Sequence, residues 1–159
     1  MIYTHQNYLD YDDLLDIYET MRKEGSYSRM YVDGAFATAN QWIDYIRGRC
    51  WLVRMTEDSG EPFAVFWLDG FNGSVAMFHY FVYRRAWGRT TGYILKELFA
   101  WLKDNIGDTV FNLIGYTPKS NRLAVRMLKR AGFEIKFEIE EAILNDGQYE
   151  SMIVSYRRL

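Results

Sequence analysis

The chain has 159 residues, of which 49% are hydrophobic and 18% aromatic, and its formal net charge is -2. That length and apolar content support one domain, residues 1–159, with its own core, and exclude a chain that stays disordered without a partner. The single cysteine, Cys50, excludes a disulfide framework and a thiolate-built metal site, and fits a reducing compartment.

No charged leader with an apolar run opens the sequence, and no apolar stretch reaches bilayer-spanning length. The expectation is a cytoplasmic protein with no membrane partner. Charge is uneven: residues 1–80 carry 6 Lys and Arg against 12 Asp and Glu, whereas 81–159 carry 13 against 9. The basic second half fits a small phosphorylated ligand and is too modest for nucleic acid.

In chain order, Ile2 to Thr4 reads as a short strand. Asp10 to Glu24 reads as a helix: Leu14, Leu15, Tyr18 and Met21 form a stripe, acids open it, Arg22 and Lys23 close it, and Gly25 follows. A polar connection through Ser26 to Gly34 leads to a second helix with Trp42, Tyr45 and Ile46 on one side and Gly48 at its end. Three strands follow, Cys50 to Met55, Phe63 to Leu68 and Val75 to Val82, separated by Glu57 to Gly60 and by Asp69 to Gly73. Short turns between consecutive strands predict an antiparallel meander.

A helix from Thr91 to about Ile106 presents Leu95, Leu98, Phe99 and Leu102 on one face. Thr109 to Leu113 is a further strand, and Ser120 to Ala131 a helix stopped by Gly132. Two last strands, Phe133 to Leu144 and Ser151 to Tyr156, flank the hairpin signal Asn145-Asp146-Gly147. The predicted order is β-α-α-β-β-β-α-β-α-β-β, an α/β (α+β) fold with a mixed, mostly antiparallel sheet and helices on both faces.

The stretch Val82 to Gly92 leaves an aromatic-rich strand, passes Gly88, and enters the helix at Thr91. A strand end, a glycine turn and a helix start gather unpaired backbone N–H groups and the positive end of a helix dipole, which suits a phosphate. Such a turn also takes glycine for positive φ or close packing alone.

Two motifs resemble those of the GNAT acyl-CoA N-acyltransferases, most like the subgroup that acetylates ribosomal-protein and other protein N-terminal amines. Val82-x-x-x-x-Trp87-Gly88-Arg89-Thr90-Thr91-Gly92 is similar to the acetyl-CoA loop V-x-P-x-x-[QRW]-G-x-G-x-[GA]. Asn121-Arg122-Leu123-Ala124, continuing to Gly132-Phe133, is similar to the family's N-x-x-A/S…GF helix. The order of elements agrees over nearly the whole chain.

The resemblance implies acetyl-CoA as co-substrate and no metal. It gives the coenzyme pyrophosphate to Trp87, Gly88, Arg89, Thr90, Thr91 and Gly92, and the pantetheine arm to the strand backbone at Phe81 and Val82. Asn121 stands near the arm or caps its helix. The loop is degenerate: Arg84 replaces the family's proline and Thr90 its central glycine, adding a Cβ beside the diphosphate and a hydroxyl that can donate to it.

Direct transfer of an acetyl group to an amine takes a base for the amine proton and an acid for the leaving thiolate. Where the family often has a carboxylate and a tyrosine, this chain has Ala76 and Leu128. His79, on the strand before the loop, is the candidate base and Tyr116 the candidate acid; a structural histidine and a packing tyrosine are the competing readings. Glu140 and Glu141 read as solvated carboxylates. The expected activity is acetyl transfer from acetyl-CoA to a primary amine of a protein or small molecule, in a chain that can form a homodimer. The alternative is a GNAT-fold protein without catalysis, working as a binding or assembly component such as a phage virion protein.

Overall fold

The computed structural model describes residues 1–31, 35–88, 91–145 and 147–159, with 91–94 described by backbone alone. Seven strands, β1 (Ile2–His5), β2 (Trp51–Thr56), β3 (Pro62–Asn72), β4 (Val75–Val82), β5 (Asn112–Pro118), β6 (Glu134–Asn145) and β7 (Gln148–Arg158), form a mostly antiparallel sheet in the order β1-β2-β3-β4-β5-β7-β6. Helices are α1 (Tyr11–Lys23), α2 (Tyr27–Met30), α3 (Ala39–Arg49), α4 (Thr91–Ile106) and α5 (Arg122–Arg130). The chain divides into two compact units, residues 1–69 with 79–87, and 70–78 with 88–159.

In the first unit, α1 begins at a reciprocal cap. The Asp10 carboxylate accepts from the Asp13 amide at 2.8 Å, and the Asp13 carboxylate accepts from the Asp10 amide at 3.2 Å. Thr38 and Gln41 cap α3 in the same manner. Leu14, Ile17 and Met21 of α1 and Trp42, Ile43 and Ile46 of α3 are buried together with Leu52, Val65, Trp67 and Phe81 from the strands. Burial of so many large side chains is what holds these short helices, because each buried Leu, Ile or Phe is worth roughly 1.5–3 kcal/mol. Strand β1 pairs with β2, and β2 with β3, all antiparallel.

In the second unit, Phe78, Phe99 and Phe133 pack with ring centroids 5.5 to 5.7 Å apart, and Arg157 lies 4.3 Å from the centre of the Phe99 ring. Parallel pairing of β4 with β5 runs from Val75–Asn112 to Met77–Ile114, while β4 itself continues to Val82. The β6–β7 hairpin closes where Asn145 pairs with Gln148 and Gly147 has φ +78. Asp146 lies outside the described residues.

Several boundaries differ from the sequence reading. A short helix, α2, lies within the stretch Ser26 to Gly34 that reads as a plain connection, so three α-helices rather than two stand between β1 and β2. Gly48 lies inside α3, which ends at Arg49 with Cys50 as its cap. The Asp69-Gly70 pair is strand, not turn: β3 continues to Asn72, and the turn uses Gly73 at φ +57. The fifth strand begins at Asn112, later than Thr109, because the amides of Thr109 and Val110 still bond back to Ile106 at the end of α4.

Candidate functional site

Extension of β3 through Asp69 puts a carboxylate inside a strand at 4% exposure. Its Oδ1 is 3.1 Å from His79 Nε2, and the Tyr45 hydroxyl donates to Oδ2. Burial works to raise the Asp69 pKa, but the hydrogen bonds from His79 and Tyr45 and the attraction of the imidazole outweigh it, so the carboxyl titrates below its usual value. Asp69 is therefore an anion at neutral pH. Tyr45 is pushed up, first by burial and then by Asp69, so its phenol stays protonated and keeps donating.

An ionised carboxylate only accepts, so His79 Nε2 donates in this bond and Nδ1 is the other nitrogen, the one not engaged by Asp69. The imidazole stacks on Trp67 with centroids 5.4 Å apart and planes 10° from parallel. His79 thus shares a face with Trp67, and its side chain is 28% exposed. A histidine held by an anion on one nitrogen and reaching solvent is arranged to accept a proton.

The loop after β4 begins with a 3-10 turn, Arg84–Ala86. Where the resemblance has proline, the Arg84 amide donates to Glu24 Oε2 at 2.8 Å, a bond that proline cannot make. Arg84 also covers the Trp87 ring at 5.5 Å, and the Trp87 indole N–H donates to the Val82 carbonyl at 2.9 Å. The Phe81 side chain is buried against Tyr83, with centroids 4.7 Å apart, so only its backbone is open to a ligand role. Gly88 has φ +80, and a Cβ there would meet no described atom within 4 Å; among the described residues the glycine serves backbone conformation, not close packing. Arg89 and Thr90 lie outside the described residues, while Thr91 and Gly92 form the first turn of α4.

In the second unit, Tyr116 is a β5 residue at 46% exposure, opposite Val154. Asn121 caps α5, its Oδ1 accepting from the Ala124 amide at 3.2 Å. Ala76 and Leu128 are buried core residues. Glu140 and Glu141 are exposed; Glu141 has φ +49 within the register shift of β6 against β7. Among the described residues no group of three His, Cys, Asp or Glu could hold a metal ion, and no helix is long and apolar enough to cross a membrane.

Sequence reasoning brought out His79 but missed Asp69 and Tyr45. The Asp-Gly dipeptide masked Asp69 as a turn, and Tyr45 showed only its helical spacing. The available signal was the apolar run Phe63 to Leu68 leading without a break into Asp69.

No protein-family model and no curated protein sequence matches the chain. Solved structures do. A spermidine N-acetyltransferase from Vibrio cholerae in complex with CoA and spermine superposes with a TM-score of 0.80 at 12% identity, covering 98% of this chain and 95% of that one. The protein smu.2055 from Streptococcus mutans gives 0.77 at 16% identity, covering 99% of each chain. The dodecameric spermidine N-acetyltransferase from Vibrio cholerae in an intermediate state gives 0.74 at 10%, covering 99% and 92%. The chain has the mixed α+β fold of these structures, as the sequence reading expects.

Proposed function

We propose that this protein is an acyl-CoA-dependent N-acetyltransferase that moves an acetyl group from acetyl-CoA to a primary amine. The observation that carries the reading is the His79–Asp69 pair at 3.1 Å on strands β4 and β3 of a GNAT-like fold. A bound amine arrives as an ammonium ion and must lose a proton before its nitrogen can attack. His79 Nδ1 takes that proton, and Asp69 stabilises the imidazolium that results.

The free amine attacks the thioester carbonyl carbon; the C–N bond forms, the C–S bond breaks, and the electron pair of the C–S bond stays on sulfur. The nitrogen sheds its second proton to solvent, and the thiolate takes one from Tyr116, to which we assign the acid role. Amide, CoA thiol and one net proton leave. The coenzyme diphosphate is assigned to the loop of Trp87, Gly88, Arg89 and Thr90 and to the helix start at Thr91 and Gly92, and the pantetheine arm to the backbone of Phe81 and Val82. The Trp87 indole already occupies the Val82 carbonyl, so the arm would meet the remaining strand groups or displace the indole. Asn121, which caps α5, is assigned as a further candidate on the coenzyme side.

Support for the coenzyme comes from the positive-φ Gly88 at the mouth of α4, together with the fold. A protein N-terminal amine, as in the subgroup that the loop resembles, and a small polyamine are both acceptors of the right chemistry. Thermal denaturation with and without acetyl-CoA tests the reading. At a hundred times Kd the coenzyme should stabilise the protein by about 2.7 kcal/mol. An unchanged transition at millimolar acetyl-CoA would overturn it and favour a non-catalytic assembly role.

A further inference from the structure

Within the first unit, six side chains close a circuit around the buried carboxylate. His79 stacks on Trp67, which stacks with Tyr31 at 6.4 Å; Tyr31 meets Phe36 edge-on at 5.1 Å; Phe36 meets Tyr45 at 5.0 Å; and Tyr45 and His79 both bond to Asp69. Asp69 and Trp67 are buried, whereas Tyr31, Phe36, Tyr45 and His79 are half-exposed. Two buried members and four half-buried ones set a carboxylate beneath partly exposed rings, an arrangement we call a cup.

The rim is held in place. Phe36 is fixed by its backbone, whose carbonyl accepts from the Tyr27 hydroxyl at 2.7 Å and whose amide donates to the same oxygen at 3.2 Å. Tyr31 is fixed by the Trp42 indole, which donates to its hydroxyl at 3.1 Å. Among the described residues no Lys or Arg bonds to any of the six, so Asp69 is answered only by the His79 imidazole and the Tyr45 phenol. A lone anion at the base of ring faces is the arrangement that attracts an organic cation, by charge and by the quadrupole of each ring.

We infer that this cup is the acceptor subsite and that it selects an alkylammonium ion carrying no carboxylate of its own. The inference rests on the acetyltransferase reading for the word acceptor; the cation site stands on the cup alone. The ammonium enters over Tyr31, Phe36 and Tyr45, with Asp69 drawing it down beside His79. A zwitterionic amino acid is disfavoured because no described cation of the cup answers its carboxylate.

The experiment is an amide and indole NMR titration of the full chain with butyltrimethylammonium, n-butylamine, n-butanol and 4-aminobutyrate. Both cations should shift the Trp67 indole and the Phe36 and Tyr45 amides, with n-butanol and 4-aminobutyrate about tenfold weaker or silent. Asp69→Asn should weaken cation binding about tenfold. Phe36→Leu, a rim change that spares the core, should weaken it severalfold and carries the test if Asp69→Asn does not fold. Equal binding of butanol and the cations, or wild-type binding by Phe36→Leu, would overturn the inference. Acetyl-CoA binding is read separately by thermal shift: its absence beside intact cation binding removes the transferase reading and leaves the cup, whereas acetyl-CoA binding with cation-indifferent NMR removes the cup alone.

Discussion

The His79 imidazole lies 3.1 Å from a carboxylate, Asp69, that is buried within β3. That relationship joins fold to chemistry, because a strand anion fixes which nitrogen of the histidine is free. Its folded state holds the Asp69 proton more weakly than an unfolded chain does. The sign follows: the ionised group contributes stability above about pH 4, where an ordinary Asp is already charged, and that contribution is lost as pH falls through its lower folded value. Acid denaturation monitored by circular dichroism should therefore show a steeper loss below about pH 4 for the wild type than for Asp69→Asn.

Cys50 is buried at 8% exposure, and burial, with a further push from Asp69, raises its thiol to about 12, Tyr45 opposing in part. At pH 8 almost none of it is thiolate, and the thiolate is the reactive form. Ellman's reagent should find less than about one-tenth of a thiol in the native protein over minutes and one full thiol in guanidinium. Rapid native labelling would place Cys50 at the surface.

Arg84 stands where the resembling motif has proline, and its amide donates to Glu24. Restoring the motif by Arg84→Pro should therefore destabilise, by about 0.5–1.5 kcal/mol, the range of an ordinary hydrogen bond. Arg84→Ala, which keeps the amide, should lose less. Urea denaturation of the two variants beside Glu24→Ala checks it, and Arg84→Pro combined with Glu24→Ala should add no further loss from that bond.

A Cβ at Gly88, where φ is +80, would meet no described atom within 4 Å, so substitution there acts through backbone strain. Gly88→Val should cost about 1–2 kcal/mol of stability, and acetyl-CoA should then give no thermal shift. Retained coenzyme binding in a folded Gly88→Val protein would place the diphosphate elsewhere.

Much of the fold was legible because local signals agree with tertiary need. The acids before Leu14 mark the start of α1, where Asp10 and Asp13 do cap it, and Asn145 to Gly147 marks the hairpin. Gly48 misled because helix propensity is weak beside the burial of Trp42, Ile43 and Ile46. In the candidate site, His79 was legible as a titratable residue before the loop. Its partner was not, since Asp69 reads locally as a turn and becomes strand only when β3 pairs along the sheet. The aromatic cluster was invisible for a related reason: Tyr31, Phe36, Tyr45 and Trp67 come from different elements and connections of the chain, and spacing carries no record of which rings will meet.

The central claim is acetyl transfer assisted by His79. Its most direct test is mass spectrometry of an alkylamine incubated with acetyl-CoA and either the wild-type protein or His79→Gln, with CoA thiol release followed in parallel. The account predicts an N-acetyl product matched one to one by released CoA, and a rate about a hundredfold or more lower for His79→Gln with its acetyl-CoA thermal shift retained. No acetylated product from any primary amine, or equal rates for the two proteins, would contradict it.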